Sequence, residues 1–170
     1  TQCTQAVGWQ GSKDRPQTGS RHRGFGVATA MHVSGNRTIG NWDGSTIFLK
    51  VNEDGRVVVH CAEGDMGQGA MTMLAQIVAH ELDMPLSHVH VSSPDTDISP
   101  YAIGSLASRV TIVSGNAAIM AAQAARVQLI EVAASMLGVD TQALVLAGGG
   151  VHVKEQPSQR RTLAELARQH

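Results

Sequence analysis

The segment at residues 107–137 constrains the fold of this chain more than any other. Small and apolar side chains recur along it at the three- and four-residue intervals of a helix face. Gly138 follows the segment, at a position where a left-handed residue often ends a helix. Because so many of these side chains are alanine, we predict a long helix that packs closely against its neighbours.

Shorter patterns on both sides of this helix predict the other elements. Residues 46–51 and 57–61 are rich in β-branched residues and flank an Asp54-Gly55 turn, which predicts a hairpin. Apolar spacing and β-rich runs further predict a strand over 24–33, a helix over 70–83 and a strand over 88–91. A closing strand or hairpin is predicted over 143–146 and 150–153. A short last helix is predicted to begin with a capping box of Thr162 and Glu165. Together they predict an α+β fold with a mixed sheet in the order β-β-α-β-α-β.

One connector divides the chain. Residues 10–23 combine turn-forming and basic residues without an apolar period. We therefore assign residues 1–23 to an N-terminal tail and connector and residues 24–170 to one domain. A chain of 170 residues is long enough to bury a core without disulfides or a structural metal.

The charge balance and the cysteine count exclude several classes of protein. The chain has 13 lysines and arginines against 14 aspartates and glutamates, so it lacks the basic surplus of a nucleic-acid-binding protein. Cys3 and Cys61 alone cannot hold an iron–sulfur cluster or a four-cysteine zinc site, and they favour a reducing cytoplasm over secretion. No uninterrupted apolar run approaches the roughly 20 residues of a membrane span.

Two turns rich in glycine and serine are the candidate binding sites. Residues 64–69 (GDMGQG) precede the helix predicted at 70–83, and residues 104–108 (GSLAS) precede the long helix. The first turn of a helix presents backbone N–H groups that favour an anion. The glycine spacing of 64–69 matches neither the dinucleotide nor the triphosphate motif, so a tight structural turn stays open as the alternative. Gln68 favours a ligand, because its amide lies between two glycines that leave its approach uncrowded.

Other polar groups are better explained by structure than by chemistry. His88 and His90 share a strand face but have no third metal ligand at a suitable spacing. Asp95 and Asp97 adjoin turn-forming residues, which favours Asx turns over a pair of catalytic carboxylates. The hydroxyl residues that follow Gly104 have no histidine partner and suit capping or ligand binding. We predict no catalytic residue and no metal ligand in this chain.

Four segments carry a resemblance to a known family. They are residues 64–69 (GDMGQG), 93–97 (SPDTD), 104–111 (GSLASRVT) and 115–117 (GNA). They closely resemble the molybdenum-binding large subunit of the xanthine dehydrogenase and aldehyde oxidase family, and the resemblance covers most of the chain. Three further segments are similar to bacterial members, including the hydroxybenzoyl-CoA reductase branch: residues 23–26, 32–35 and 42–44.

The resemblance implies a molybdopterin cofactor, which in bacteria often has the cytosine dinucleotide form. It implies that this cofactor is bound by Met66, Gly67, Gln68, Gly69, Ala107, Ser108, Arg109 and Thr111. In the family, the glutamine of the first motif hydrogen-bonds the cofactor near the metal, a role that falls to Gln68. The second loop holds the pterin or a phosphate, a role that falls to Ser108 and Thr111.

The resemblance also implies a reaction class and partners. Family members hydroxylate aldehydes or N-heteroaromatic compounds with water as the oxygen source, whereas the CoA reductase branch removes a phenolic hydroxyl from an aromatic CoA thioester. Electrons pass to iron–sulfur and FAD centres, which we expect on partner domains or subunits and not on this chain.

Two parts of the family's active site have no counterpart in this sequence. They are the upstream glycine-rich loop with its substrate pocket and the downstream Gly-Glu that carries the catalytic base. We therefore expect a chain that is catalytically silent by itself, part of a larger cytoplasmic subunit without a nucleic-acid partner or a membrane span. Two alternatives stay open: a non-catalytic cofactor-binding or assembly module, and an ordinary nucleotide-binding domain.

Overall fold

The computed structural model describes residues 2–9, 18–22, 24, 26–32 and 43–169. It divides into two compact units, Thr1–His32 and Val33–His170. In the first unit, helix α1 (Gln2–Ala6) is followed, among the described residues, by turns and exposed coil. The strand predicted at 24–33 is wrong for its described residues, because a stretch of glycine and small side chains offers little surface for strand packing. Residues 10–17 and 23 of the predicted connector lie outside the described residues.

The first sheet of the second unit contains the predicted hairpin. Strands β1 (Phe48–Val51) and β2 (Val57–His60) pair antiparallel, and Gly55 takes a φ of +82° in the turn between them. Helix α2 (Ala70–Glu81) then leads to β3 (Val89–Val91), which pairs parallel with β2. The hairpin, the helix and the strand are confirmed, although α2 ends before the predicted residue 83.

Helix α3 (Val110–Leu137) is the predicted long helix, but it begins later than predicted. Ala107 and Ser108 have φ values of +47° and +54°, which no right-handed helix accommodates. Gly138, with a φ of +68°, ends the helix as predicted, and its N–H donates to the Ala134 carbonyl at 2.9 Å.

A second sheet follows α3. Strands β4 (Leu144–Leu146), β5 (Gly150–Val153) and β6 (Gln156–Thr162) pair antiparallel in that order. Helix α4 (Leu163–Ala167) begins with the predicted capping box. The α+β class and the closing hairpin are confirmed. The order β-β-α-β-α-β is not, because the described residues form two three-stranded sheets and β6 was not predicted.

One hydrophobic core joins both sheets of the second unit to its helices. Its members with almost no exposure include Val57, Val59, Leu74, Val78, Ala118, Ala122, Ala133, Leu146, Val151, Leu163 and Leu166. Small residues let α3 approach α2 closely, since a Cβ added to Gly115 would lie 3.1 Å from Ile77 Cδ1. Helix α3 therefore connects the two sheets through its contacts with α2, β1, β4 and β5.

Among the described residues, α3 is also the one helix long and apolar enough to span a membrane by length and composition. The core helix of a globular protein passes the same test. In this structure one face of α3 packs against α2 and both sheets, and 22% of the candidate span is buried.

Candidate functional site

The two turns that the sequence singles out lie against each other. The Ser105 hydroxyl donates a hydrogen bond of 2.6 Å to the Gly64 carbonyl oxygen, across 41 residues of sequence. Gly64 begins the turn before α2, and Ser105 belongs to the turn before α3. The structure therefore brings both helix entries to one place.

A side chain of the first turn occupies the N-terminus of α2. The Asp65 carboxylate accepts hydrogen bonds from the backbone N–H groups of Gly67 (2.8 Å), Gly69 (3.2 Å) and Met71 (3.2 Å). These donors, that of Gly67 most strongly, lower the pKa of Asp65 from its usual value. Asp65 therefore already occupies three of the N–H groups that an external anion would use at this helix entry.

Gln68 is held at both ends of its amide. Its Oε1 accepts from the Met66 N–H at 2.6 Å, and its Nε2 donates to the Gly64 carbonyl at 3.0 Å. One N–H of the amide remains, and the side chain is exposed. The turn thus fixes the orientation of Gln68 and leaves it one donor for a ligand.

The outer side of the first turn is open. Gly67 and Gly69 have φ values of +103° and +80°, which residues with a side chain rarely adopt. A Cβ added to either glycine would meet no atom within 4 Å, and Met66 beside them is 77% exposed. The backbone conformation requires these glycines, and the space beside them is available to a ligand.

The second turn contains backbone N–H groups that have no acceptor among the described residues. Ala107 and Ser108 have consecutive positive φ values, a strained conformation for residues other than glycine. No backbone N–H of residues 105–108 donates a hydrogen bond within the described part of the chain. Ala107 is buried, whereas Ser108 and Thr111 are exposed. Among the described residues, this turn therefore places unpaired N–H groups immediately before α3.

Arg109 lies completely buried after this turn. Its backbone N–H donates to the Leu106 carbonyl at 3.0 Å. Its five guanidinium N–H groups have acceptors at 2.6–3.1 Å: Asp43 Oδ1, Glu63 Oε1, Ser45 Oγ, and the carbonyls of Gly44 and Gly104. No guanidinium donor is left for a ligand, and the backbone N–H of Arg109 is already paired with the Leu106 carbonyl.

Glu63 is a buried charge that sequence reasoning missed as a site residue. Its Oε1 accepts from Ser45 Oγ (2.7 Å), Ser114 Oγ (2.6 Å) and Arg109 Nη1 (2.7 Å). Burial raises the pKa of Glu63, but the hydrogen bonds from Ser114, Ser45 and Arg109 outweigh burial and lower it. Oε2 has no hydrogen-bond partner among the described residues. The position of Glu63 between a strand and a glycine turn was the available signal.

The other polar candidates have structural roles or none. The Asp95 carboxylate accepts from the Asp97 N–H at 2.9 Å, which is the predicted Asx turn. Burial raises the pKa of the Cys61 thiol, so this cysteine is a poor nucleophile. Within the described ranges, no three residues among His, Cys, Asp and Glu are grouped so that they could hold a metal ion.

Comparison with known proteins identifies the family. The model of the molybdopterin cofactor-binding domain matches residues 2–170. The chain belongs to this family. The resemblance to xanthine dehydrogenase large subunits is thereby confirmed.

Several relatives in the family are oxidoreductases by name. A probable hypoxanthine oxidase of Escherichia coli strain K12 is 38% identical over 142 residues, which cover 84% of this chain and 14% of that protein. The putative xanthine dehydrogenase molybdenum-binding subunit of the same strain is 34% identical over 84% of this chain and 19% of its own length. The carbon monoxide dehydrogenase large chain of Afipia carboxidovorans is 30% identical over 85% of this chain and 18% of its own length. The chain thus spans less than a fifth of each of these relatives.

Two solved structures share the fold. Carbon monoxide dehydrogenase from Oligotropha carboxidovorans aligns with a TM-score of 0.68 and 30% identity over 74% of this chain and 16% of that chain. Quinoline 2-oxidoreductase from Pseudomonas putida 86 aligns with a TM-score of 0.65 and 28% identity over 72% of this chain and 16% of that chain. This chain is therefore similar in fold to one segment of each enzyme.

The donors of the two turns suit the group that this family binds. A pterin and a phosphate both present hydrogen-bond acceptors, which require donors on an accessible surface. The structure offers the free N–H groups of residues 105–108, the exposed Ser108 hydroxyl and the remaining N–H of Gln68. The residues present therefore fit a molybdopterin cofactor.

Proposed function

We propose that this chain is the cofactor-binding segment of a molybdenum hydroxylase-type oxidoreductase. The observation that carries the proposal is the Ser105–Gly64 hydrogen bond, which joins the two turns whose sequences resemble the family's cofactor loops. The reaction would be hydroxylation of an aldehyde or an N-heteroaromatic compound with water, or reductive dehydroxylation of an aromatic CoA thioester. The similarity to a probable hypoxanthine oxidase and to quinoline 2-oxidoreductase supports the first of these.

The residues of the first turn would bind one side of the cofactor. Gln68 would donate its remaining amide N–H, held in orientation by Met66 and Gly64. Gly67 and Gly69 would let the backbone approach the ligand closely, because neither carries a Cβ. The bound cofactor would supply the molybdenum redox chemistry.

The residues of the second turn would bind the other side. The hydroxyls of Ser108 and Thr111 and the free N–H groups near Ala107 would hold a pterin or phosphate oxygen. Arg109 would contribute through the backbone it fixes, since its guanidinium donors are already used.

The rest of the enzyme would come from other parts. We propose that the remainder of the molybdenum subunit supplies the substrate pocket and the catalytic base, and that iron–sulfur and flavin domains or subunits accept the electrons. Relatives named as a large subunit and a subunit gamma of a complex support a multi-subunit assembly. A cytoplasmic location and the cytosine dinucleotide form of the cofactor belong to the same proposal.

Analysis of the natural gene product tests this function. The protein would be captured from its source with an antibody to this chain, and its molybdenum, pterin and intact mass would be measured together. We expect near-stoichiometric metal and pterin on a chain much longer than 170 residues. A natural product that contains neither would contradict the proposal and favour a non-catalytic module.

A further inference from the structure

A buried network of charges connects the two turns. Arg109, Glu63 and Asp43 have side-chain exposures of 0%, 1% and 2%. The Arg109 guanidinium lies 2.6 Å from Asp43 and 2.7 Å from Glu63. Glu63 directly precedes the first turn, and Arg109 directly follows the positive-φ residues of the second.

Arg109 also binds the backbone at the beginning of its own turn. Its Nη1 donates to the Gly104 carbonyl at 3.1 Å as well as to Glu63. A planar guanidinium with several fixed donors can hold such groups at set distances from one another. Arg109 therefore fixes the distance between Glu63, which directly precedes the first turn, and Gly104, which begins the second turn.

Stability alone does not explain this network. Glu63 Oε2 has no donor among the described residues, so the network leaves a buried carboxylate oxygen unsatisfied within this part of the chain. A buried ion network is often no more stabilising than well-packed apolar side chains of the same volume. What the network provides, and apolar packing does not, is a fixed direction for the backbone that follows Gly104.

We propose that Arg109 and Glu63 are positioning residues for the cofactor. They hold Ala107 and Ser108 in their strained conformation and keep the second turn in register with Gln68. This inference rests on the proposed function, since it concerns the same site. In this proposal the buried Arg109 side chain supports the backbone of the second turn and does not contact the cofactor itself.

Substitution of Arg109 in the full-length gene product tests the proposal. Arg109→Lys keeps the positive charge but replaces donors on three nitrogens by one ammonium, which cannot reach all five acceptors. We expect molybdenum and pterin per chain to fall by roughly tenfold, as for other residues that orient a bound group through its ligands. Both contents would be measured at a temperature where circular dichroism shows the variant to be fully folded.

A matched control separates positioning from general destabilisation. Leu146 is fully buried in β4, in the second sheet, and Leu146→Ala leaves a cavity in the core without touching either turn. We expect Leu146→Ala to lower the unfolding temperature at least as much as Arg109→Lys and to retain the wild-type cofactor content. Equal cofactor content in Arg109→Lys and wild type, or equal losses in both variants, would overturn the proposal.

Glu63 supplies a second, independent readout. Glu63→Gln retains an Oε1 that can accept from Ser45, Ser114 and Arg109, whereas Glu63→Ala removes the acceptor. If Glu63 acts by position, Glu63→Gln keeps most of the cofactor that Glu63→Ala loses; equal contents in the two variants would contradict this role. A wild-type protein without molybdenum and pterin would refute the proposed function itself, before any variant is compared.

Discussion

Single residues of the first turn are restricted by backbone conformation, and Gly67 shows this most clearly. Its φ is +103°, yet a Cβ there would meet no atom within 4 Å. We predict that Gly67→Val adds about 1–3 kcal/mol of local strain and lowers molybdenum content, because the turn must change shape. Gly138 at the end of α3 is the control: its φ is +68° and a Cβ there would also meet no atom within 4 Å, so Gly138→Val should add similar strain and leave molybdenum content near wild type. Full cofactor in Gly67→Val would show that the turn is only structural.

A second prediction at this scale concerns Gln68. Gln68→Ala removes the amide that bonds Met66 and Gly64 and, by our proposal, the cofactor. We expect molybdenum retention to fall roughly two- to tenfold, the range for loss of one or two hydrogen bonds. Gln123→Ala, at an exposed position of α3, is the matched control and should change nothing. The test is to measure the molybdenum content of the full-length protein and its variants. A wild-type molybdenum content in Gln68→Ala would show that this residue is not part of the site.

How far individual site residues can be predicted depends on how local their contacts are. Gln68 could be singled out because the turn that holds it spans residues adjacent in sequence. The shared burial of Glu63 and Arg109 could not be predicted from the sequence, because their hydrogen bond joins positions 46 residues apart. Each of these charges is tolerated in the core only because its partners bind it there. Sequence patterns record charge but not which distant charge will neutralise it.

Among the elements, α2 carries a pH-dependent cap in Asp65. The folded state lowers the pKa of this carboxylate, so Asp65 stabilises the helix entry above its unfolded pKa of about 3.9 and stops doing so as pH falls through the folded pKa. We predict that Asp65→Asn lowers the unfolding temperature at pH 7 and that this difference shrinks in acid. Asp97→Asn, at an exposed loop position, is the control. The unfolding temperature of each variant would be measured across pH. A difference between Asp65→Asn and wild type that stayed constant with pH would contradict the prediction.

Elements with a clear periodicity could be predicted, and those without it could not. Helix α3 and the β1–β2 hairpin follow from residues that repeat at helical or alternating spacing. Strand β6 has the sequence QPSQRRT, which is polar on both faces, so only its pairing with β5 defines it. The start of α3 was predicted too early because the positive φ values of Ala107 and Ser108 end the helical conformation and leave no mark on the apolar pattern.

For the whole molecule, the division of the strands into two sheets could not be predicted from the sequence. Strand patterns specify which face is buried but not which edges meet, and in the structure α3 contacts strands of both sheets. The family could be predicted nonetheless, because its motifs are short, local and ordered along the chain.

The two carboxylates beside the first turn are unsuited to act as the general base of the proposed reaction. A general base works best with a pKa near the operating pH. Both carboxylates that adjoin the first turn, Glu63 and Asp65, instead have lowered pKa values and accept hydrogen bonds from their surroundings. Neither is suited to removing a proton at neutral pH.

We therefore expect the isolated 170-residue chain, supplied with molybdopterin cofactor, to reduce no electron-accepting dye with any aldehyde or N-heteroaromatic substrate. The full-length gene product with its partner subunits is the positive control and should turn over. A further control is the full-length Asp65→Asn protein, whose rate per molybdenum should keep the wild-type pH profile because Asp65 is not the base. Turnover by the isolated chain, or a pH profile of Asp65→Asn that differs from that of wild type, would place a catalytic group within these residues.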